Sequence, residues 1–176
     1  MRIKRLKTAQ LIAMIDYPPL HSPKTFALYY QRLKTGKKIE PAIVVPARAV
    51  LNHFKSRKNR FKKYQIILEQ FLKEHPEAKY FMPGGKHRSA AATILGIKVP
   101  CLVVKDDKDV RYIHKLTKEG KITGVPSVEK NFKETLKMLE KHFFKHKRFW
   151  TMDEKTKEMI KNRDISKKMI KFMGLA

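Results

Sequence analysis

The stretch YFMPGGKHRSAAA (residues 80–92) passes from an apolar strand through a glycine turn into an alanine-rich helix. Three cationic or protonatable residues, Lys86, His87 and Arg88, stand directly in front of the alanines. The positive end of the helix macrodipole lies at this point and disfavours cations. We therefore expect a negatively charged group to bind at this turn.

A strand, a glycine turn, cations and a helix together form a phosphate-binding pattern. Glycines let the backbone approach a ligand and point amide hydrogens at it, and a helix N-terminus adds positive potential. An arginine can bind two phosphate oxygens at once, whereas a lysine supplies a mobile point charge. The predicted phosphate contacts are Gly84, Gly85, Lys86, His87, Arg88 and Ser89, in front of a helix predicted over 89–95. The alternative is an exposed basic turn before an ordinary helix.

The composition points to a folded, strongly basic protein. The chain has 176 residues, of which 42% are hydrophobic, enough for one domain with a core. It carries 41 Lys and Arg against 16 Asp and Glu, a formal net charge of +25. That excess predicts a polyanionic partner, with nucleic acid ahead of an anionic membrane surface, and a merely lysine-rich surface as the bland alternative.

The single cysteine and the absence of a long apolar run bear on the compartment. Cys101 cannot form an intrachain disulfide, which favours a reducing environment, and we expect it to be buried in a strand and dispensable. No apolar run approaches the length of a membrane span. We therefore expect a cytoplasmic protein without membrane contact.

The positive charge is concentrated in the N-terminal third, where residues 1–65 carry 16 basic and two acidic side chains. Segment 53–63 has no acid, and its phenylalanines, Phe54 and Phe61, should anchor it while its cations face outward. It is the predicted nucleic-acid contact, through Lys55, Arg57, Lys58, Arg60, Lys62 and Lys63. A solvated basic surface is the alternative.

Hydrophobic periodicity and capping residues predict an α+β fold. Residues 2–6 suit an edge strand, and Thr8 is expected to cap a short helix through Ile15. Strands 42–45, 79–82 and 100–104 should share one sheet, with the helix after the glycine turn packed on it. We expect segment 47–78 to project as a helical hairpin from the sheet edge. After a linker at 120–127, a C-terminal helical extension is predicted over 127–176.

Four ordered pieces of the chain resemble the ParB/sulfiredoxin superfamily. Residues 85–91, Gly-Lys-His-Arg-Ser-Ala-Ala, resemble its Gly-x-x-Arg-x-x-Ala box. Upstream, 33–36 and 40–45 resemble the helix end, glycine and Pro-Ile-Val-Val strand that precede that box, and downstream 95–104 resembles the strand that follows it. The resemblance covers roughly residues 1–118, interrupted by the insertion at 47–78.

The resemblance implies a small mixed sheet with packed helices, in which Gly85, His87 and Arg88 hold nucleotide phosphates. Sulfiredoxins have a reactive cysteine where this chain has Lys86, so their chemistry is not expected. The free-serine kinases carry an acid and glycine where this chain has Gly84-Gly85. The Glu-Asn-x-x-Arg segment and helix-turn-helix of partition proteins are not recognisable in 105–176.

Acidic and histidine pairs are candidates for further chemistry. Glu40 and Asp16 are candidate general bases, although solvated turns are the commoner role for such residues. Asp106, Asp107 and Asp109 could hold Mg²⁺ beside a triphosphate, or could equally cap a helix. His142 and His146 have metal-ligand spacing but no third ligand, so we predict no resident metal site.

The sequence thus predicts a DNA-binding ParB-like protein that takes a nucleoside di- or triphosphate, ATP or CTP, at residues 84–89. Nucleotidase or nuclease activity is left open, as is a homodimer. The alternative is an ATP- or ADP-dependent kinase of a small hydroxylated metabolite, and an inert protein-interaction module is a third reading. The kinase requires a carboxylate near the loop.

Overall fold

The computed structural model describes residues 2–14, 22–57, 61–122, 127–143, 148–162 and 165. Its strands form one five-stranded mixed sheet in the order β1-β5-β3-β4-β2. They are β1 (Ile3–Leu6), β2 (Leu11–Ala13), β3 (Ala42–Pro46), β4 (Tyr80–Met82) and β5 (Val99–Val103). The predicted α+β class is confirmed, as is the prediction that the three apolar strands share a sheet.

The central strand β3 determines how the two faces of the sheet are covered. It is parallel to β5, with Ile43 opposite Leu102, and antiparallel to β4, with Val45 opposite Phe81. Because side chains alternate along a strand, Ile43 and Val45 lie on one face, and Ala42 and Val44 lie on the other. All four are buried, so both faces are covered by helices.

Four helices pack on the face that carries Ile43 and Val45. They are α2 (Ala47–Ser56), α3 (Lys62–Glu74), α5 (Asp107–Lys118) and α6 (Phe132–Phe143). Val50, Phe54, Leu68 and Leu139 join Val45 in one buried cluster, and Val110 and Ile113 join Ile43 in another.

The expectation that the 47–78 hairpin projects from the edge of the sheet is therefore wrong. The segment does form two helices, but Phe54 and Phe61 are fully buried and their rings stack with centroids 5.5 Å apart. Packing against the sheet and α6 removes the apolar area of these rings from water. The hydrophobic effect therefore favours a hairpin that packs on the sheet over one that projects from it.

Three helices pack on the opposite face: α1 (Pro23–Lys34), α4 (Lys86–Ile94) and α7 (Met152–Lys161). Ala92 of α4 and Met152 of α7 join Val44 in a third buried cluster. Phe26 and Tyr30 of α1 pack on Ala90 and Ala91, whose small side chains allow a close approach. Helices from the predicted C-terminal extension thus pack on both faces of the sheet.

Several helix starts lie where their capping residues predict them. Ser22 accepts a hydrogen bond from the Thr25 amide in front of Pro23, and Asp106 accepts one from the Asp109 amide. Thr151 and Glu154 form a capping box at α7. Side-chain oxygens supply the acceptors that the first amides of each helix lack.

The predicted helix from Thr8 to Ile15 is wrong. A 3-10 turn at Thr8–Gln10 leads directly into β2, which lies parallel to β4 with Ile12 opposite Phe81. The run Leu11–Met14 is buried throughout, and a fully buried strand has no alternation that distinguishes it from a buried helix.

The outer edge of β2 is covered by a segment from far along the chain. The Ala13 amide donates to the Trp150 carbonyl over 2.9 Å, and Ile12 forms an antiparallel bridge with Thr151. Edge backbone groups that would otherwise be exposed are therefore paired.

In the described part of the chain, no helix combines the length and the apolar character that crossing a membrane requires.

Candidate functional site

A cleft of about 360 Å³ opens where the C-terminal end of β4 meets the N-terminal end of β3. Its size falls within the range of small-molecule sites, roughly 300–1,000 Å³. Its walls come from α1, the start of β3, the glycine turn with α4, and the chain after α5. The lining residues are Thr25, Tyr29, Pro41, Ala42, Ile43, Pro83, Gly84, Gly85, Lys86, His87, Arg88, Ile122 and Ser127.

Helix α4 begins at Lys86, three residues earlier than the sequence pattern predicts. Gly85 is its N-cap and has a φ of 102°, a conformation that a side chain disfavours. The first turn consequently consists of Lys86, His87 and Arg88. The backbone amides of this turn have no carbonyl acceptor within the helix. As a glycine, Gly85 has no side chain to cap this turn, and no acid lies in the turn. A helix N-terminus of this kind at a cleft is suited to an anion.

Two of the predicted phosphate contacts are buried at the cleft. Lys86 is 9% exposed and His87 8%. Both line the cleft together with the glycine turn. A buried cation interacts with an anion more strongly than an exposed one, because water screens it less.

Arg88 lines the cleft, but its guanidinium binds the protein itself. Nη1 donates to the Glu40 and Pro41 carbonyls, each over 2.8 Å, and Nη2 donates to the Tyr29 hydroxyl over 3.2 Å. The guanidinium also lies 5.0 Å from the centroid of the Tyr29 ring. The two-pronged phosphate contact expected of Arg88 would have to displace these bonds. In this structure Arg88 instead fastens α4 to the segment entering β3.

The other two predicted contacts have different positions. The Ser89 hydroxyl donates to the Gly85 carbonyl over 3.0 Å, and Ser89 is fully buried in the helix without lining the cleft. Gly84 does line it and packs against Ser127, whose hydroxyl a Cβ at position 84 would overlap.

None of the cleft-lining residues that the structure describes is an acid. Of the two candidate bases, Asp16 lies outside the described residues. The Glu40 carboxylate is 4.0 Å from Arg88 Nη2 and forms an ion pair with it. Glu40 therefore flanks the arginine behind the cleft wall.

The three aspartates after β5 do not fit a Mg²⁺ site beside the cleft. Because β5 is parallel to β3, its C-terminal end lies at the opposite end of the sheet from the start of β3. Asp106 caps α5, Asp109 accepts from the Lys105 amide, and Asp107 accepts from the Phe132 amide. Among the described residues no group of three His, Cys, Asp or Glu could hold a metal. The side chains of His142 and His146 lie outside them.

The basic segment 53–63 is partly neutralised by acids from elsewhere in the chain. Lys55 Nζ is 3.0 Å from Glu69 Oε1, and Arg57 Nη2 is 3.5 Å from Glu140 Oε1. Glu140 is itself buried and lies 2.7 Å from His53 Nε2. Two of the six predicted nucleic-acid contacts, Lys55 and Arg57, therefore have acidic partners within the protein.

Two of the four remaining cations of the segment lie within the described residues, and two lie outside them. Lys62 and Lys63 are exposed on the first turn of α3, whereas Lys58 and Arg60 lie outside the described residues. The burial of Phe54 and Phe61 confirms that these two rings anchor the segment.

Cys101 is fully buried in β5, as predicted. Burial raises the pKa of its thiol to about 12, which only the nearby Arg88 charge opposes. A thiol that remains protonated at neutral pH is a poor nucleophile, so thiol chemistry is not supported.

Sequence reasoning missed eight of the cleft-lining residues, among them Thr25, Tyr29, Ile122 and Ser127. Thr25 and Tyr29 are four residues apart on α1, a spacing that places them on one helix face. That spacing was a usable signal for a polar contact. Ile122 and Ser127 carried no signal, because the stretch between them reads as a loop.

Comparison of the chain with protein-family models, with curated proteins and with solved structures gives no match.

Proposed function

We propose that this protein binds nucleic acid and takes the phosphates of a nucleoside di- or triphosphate in the cleft at the start of α4. One observation carries the nucleotide part. A helix N-terminus whose N-cap is glycine adjoins a cleft that the buried residues Lys86 and His87 also line.

The arrangement suits phosphate for three physical reasons. The first-turn amides of α4 lack intrahelical acceptors, and the helix dipole favours negative charge there. Lys86 brings an amino group to the cleft at a position with little access to water. Tyr29, Thr25 and Ser127 also line the cleft, and their hydroxyls can bind a sugar or further phosphate oxygens.

The nucleic-acid part of the proposal is supported by the net charge of +25. Cys101, kept as a thiol, accords with a reducing compartment such as the cytoplasm. The kinase alternative has less support, because it needs a carboxylate that the described lining of the cleft does not contain.

Calorimetric titration with ATP, CTP and pyrophosphate tests the nucleotide part. The informative variant is Lys86→Met, which removes the charge and retains most of the aliphatic volume. Lys63→Met, at an exposed position on α3, is the matched control. We expect Lys86→Met to weaken binding at least tenfold, because a charged hydrogen bond contributes about 1.5–3 kcal/mol. The control should bind as the wild type does.

Two results would overturn the nucleotide part of the proposal. One is that none of the three ligands binds to the wild-type protein, and the other is that the wild type and Lys86→Met bind with equal affinity. Circular dichroism and thermal melting of both variants establish that the fold is retained.

A further inference from the structure

We propose that the outer face of α5 is the surface that contacts duplex DNA, an inference that rests on the nucleic-acid part of the proposed function. Lys108, Arg111, Lys115 and Lys118 are all exposed on this helix. Their spacing of three, four and three residues places them on one side. Val110 and Ile113, on the other side, are buried against the sheet.

The acids within α5 and next to it along the chain lie at the two ends of the helix. Asp106, Asp107 and Asp109 gather at the start of the helix, where each accepts a hydrogen bond from a backbone amide. Glu119, at the other end, lies 2.7 Å from Lys121 and 3.9 Å from Lys115.

Three cations of the face have no acidic partner among the residues that the structure describes. Lys108, Arg111 and Lys118 form no ion pair with any other residue in the described ranges. In the 53–63 segment, Lys55 and Arg57 have acidic partners, and Lys62 and Lys63 are exposed.

The dimensions of the face suit a duplex. Lys108 to Lys118 span about 15 Å at 1.5 Å per residue. Duplex DNA carries one negative charge per roughly 1.7 Å of its axis, so the face opposes several phosphates. Tyr112 is 38% exposed at the side of the face, and a tyrosine hydroxyl is a common phosphate donor.

An anionic membrane fits this face less well. A helix that binds a bilayer surface inserts its apolar side among the lipids. The apolar side of α5 is already buried against the sheet.

The basic face ends beside the cleft. After α5 the Lys121 amide donates to the Leu116 carbonyl over 2.9 Å, and the next residue, Ile122, lines the cleft. A duplex on α5 would therefore lie next to the nucleotide.

The test measures affinity for a 20-base-pair duplex over a series of salt concentrations. Arg111→Gln/Lys118→Gln removes two charges from α5, and Lys62→Gln/Lys63→Gln removes two from α3. The two variants have the same net charge and differ only in where the charge was lost. We expect the α5 variant to reduce the slope of log affinity against log salt by about 1.8, since each lost phosphate contact contributes roughly 0.9. The α3 variant should change the slope by less than half as much.

Equal slopes for the two variants, or a larger change in the α3 variant, would overturn the assignment to α5 while DNA binding stood. A wild-type protein that does not bind the duplex at low salt would refute both this inference and the nucleic-acid part of the proposed function. Binding to phosphatidylserine vesicles that the α5 substitutions weaken, with duplex affinity unchanged, would assign the face to a membrane and overturn it as well.

Discussion

Two regions of the molecule are dense in basic residues: the glycine turn with the start of α4, and the 53–63 segment. The basic side chains of these two regions have different surroundings. At the turn, Arg88 is bound to backbone carbonyls, and Lys86 and His87 line the wall of a cleft. In the segment, Lys55 and Arg57 are paired with distant acids, and Lys62 is exposed.

The difference teaches that a run of cations does not by itself identify a ligand site. What distinguishes the turn is that Lys86 and His87 line a cleft at a helix N-terminus. The exposed cations of the segment lie where water and salt screen them. Geometry, rather than charge density, separates a small-ligand site from a solvated surface.

The largest expected effect is on stability, and it compares the contributions of Arg88 and Arg57 to the free energy of unfolding. Arg88→Ala removes the donors of two 2.8 Å bonds to carbonyls and should lower the free energy of unfolding by about 2–3 kcal/mol. Arg57→Ala removes one long contact of a half-exposed side chain and should cost less than about 1 kcal/mol. Urea denaturation of both variants measures the difference. Equal losses would remove the distinction between the two regions.

A second test concerns the backbone of the turn. Gly85→Ala should lower the free energy of unfolding by about 1–3 kcal/mol, because φ is 102° and the new Cβ would meet the Ala42 Cβ at 3.2 Å. Gly96→Ala is the matched control, since its φ is 65° and its Cβ would enter open space. Thermal melting of both should rank Gly85→Ala as the more damaging. The reverse ranking would show that the turn is not held in this conformation.

A pH-dependent pair at the far end of the hairpin gives a smaller effect. Burial lowers the pKa of His75, but hydrogen bonds to Glu154 and to the Phe71 carbonyl, with the nearby carboxylate charges, outweigh it, so the pKa is raised. Burial likewise opposes the change at Glu154, whose pKa is lowered by the Thr151 amide and by His75.

The signs of these two shifts define a pH window. The His75 contribution is complete below its unfolded pKa of 6.5 and is lost as pH rises through the raised value. The Glu154 contribution is present above 4.5 and is lost as pH falls through the lowered value. The free energy of unfolding should therefore be highest between these two pH values. The contribution of the pair should be less than about 1 kcal/mol, because both side chains are partly exposed. His75→Gln should remove the alkaline decline in denaturation curves, and a decline that persists would contradict this assignment.

The smallest expected effect is a change in the pKa of one side chain, Glu69. The Lys55 hydrogen bond lowers the pKa of Glu69. In Lys55→Gln that pKa should rise toward its ordinary value, measured by NMR of the Glu69 carboxyl carbon. A Glu69 pKa unchanged by this substitution would mean that the pair does not form in solution.

Much of the fold was predictable because its signals are local. Ser22, Asp106 and Thr151 mark helix starts through side chains that cap them, and the apolar β3 and β5 are bounded by prolines or polar residues. β2 was missed because its burial erases the alternation.

The site was only partly predictable, because its decisive contacts are distant in sequence. Two partners of Arg88 are backbone carbonyls, which carry no sequence signal, and a third, the Tyr29 hydroxyl, lies 59 residues away along the chain. Glu140 likewise lies 83 residues from Arg57. The glycine turn was identified because its conformation requires particular residue types close together.

The pairing of β2 with the segment at 150–151 sets an order in time as the chain is synthesised. β2 leaves the ribosome well before the segments that pair with it, since its neighbour β4 begins at Tyr80 and its outer cover arrives only with Trp150 and Thr151. Until then an apolar strand has an unpaired edge, the condition that favours association with other chains. Completion of this edge of the sheet therefore waits until Thr151 has been added, and a nascent chain halted before residue 150 would carry this buried strand uncovered.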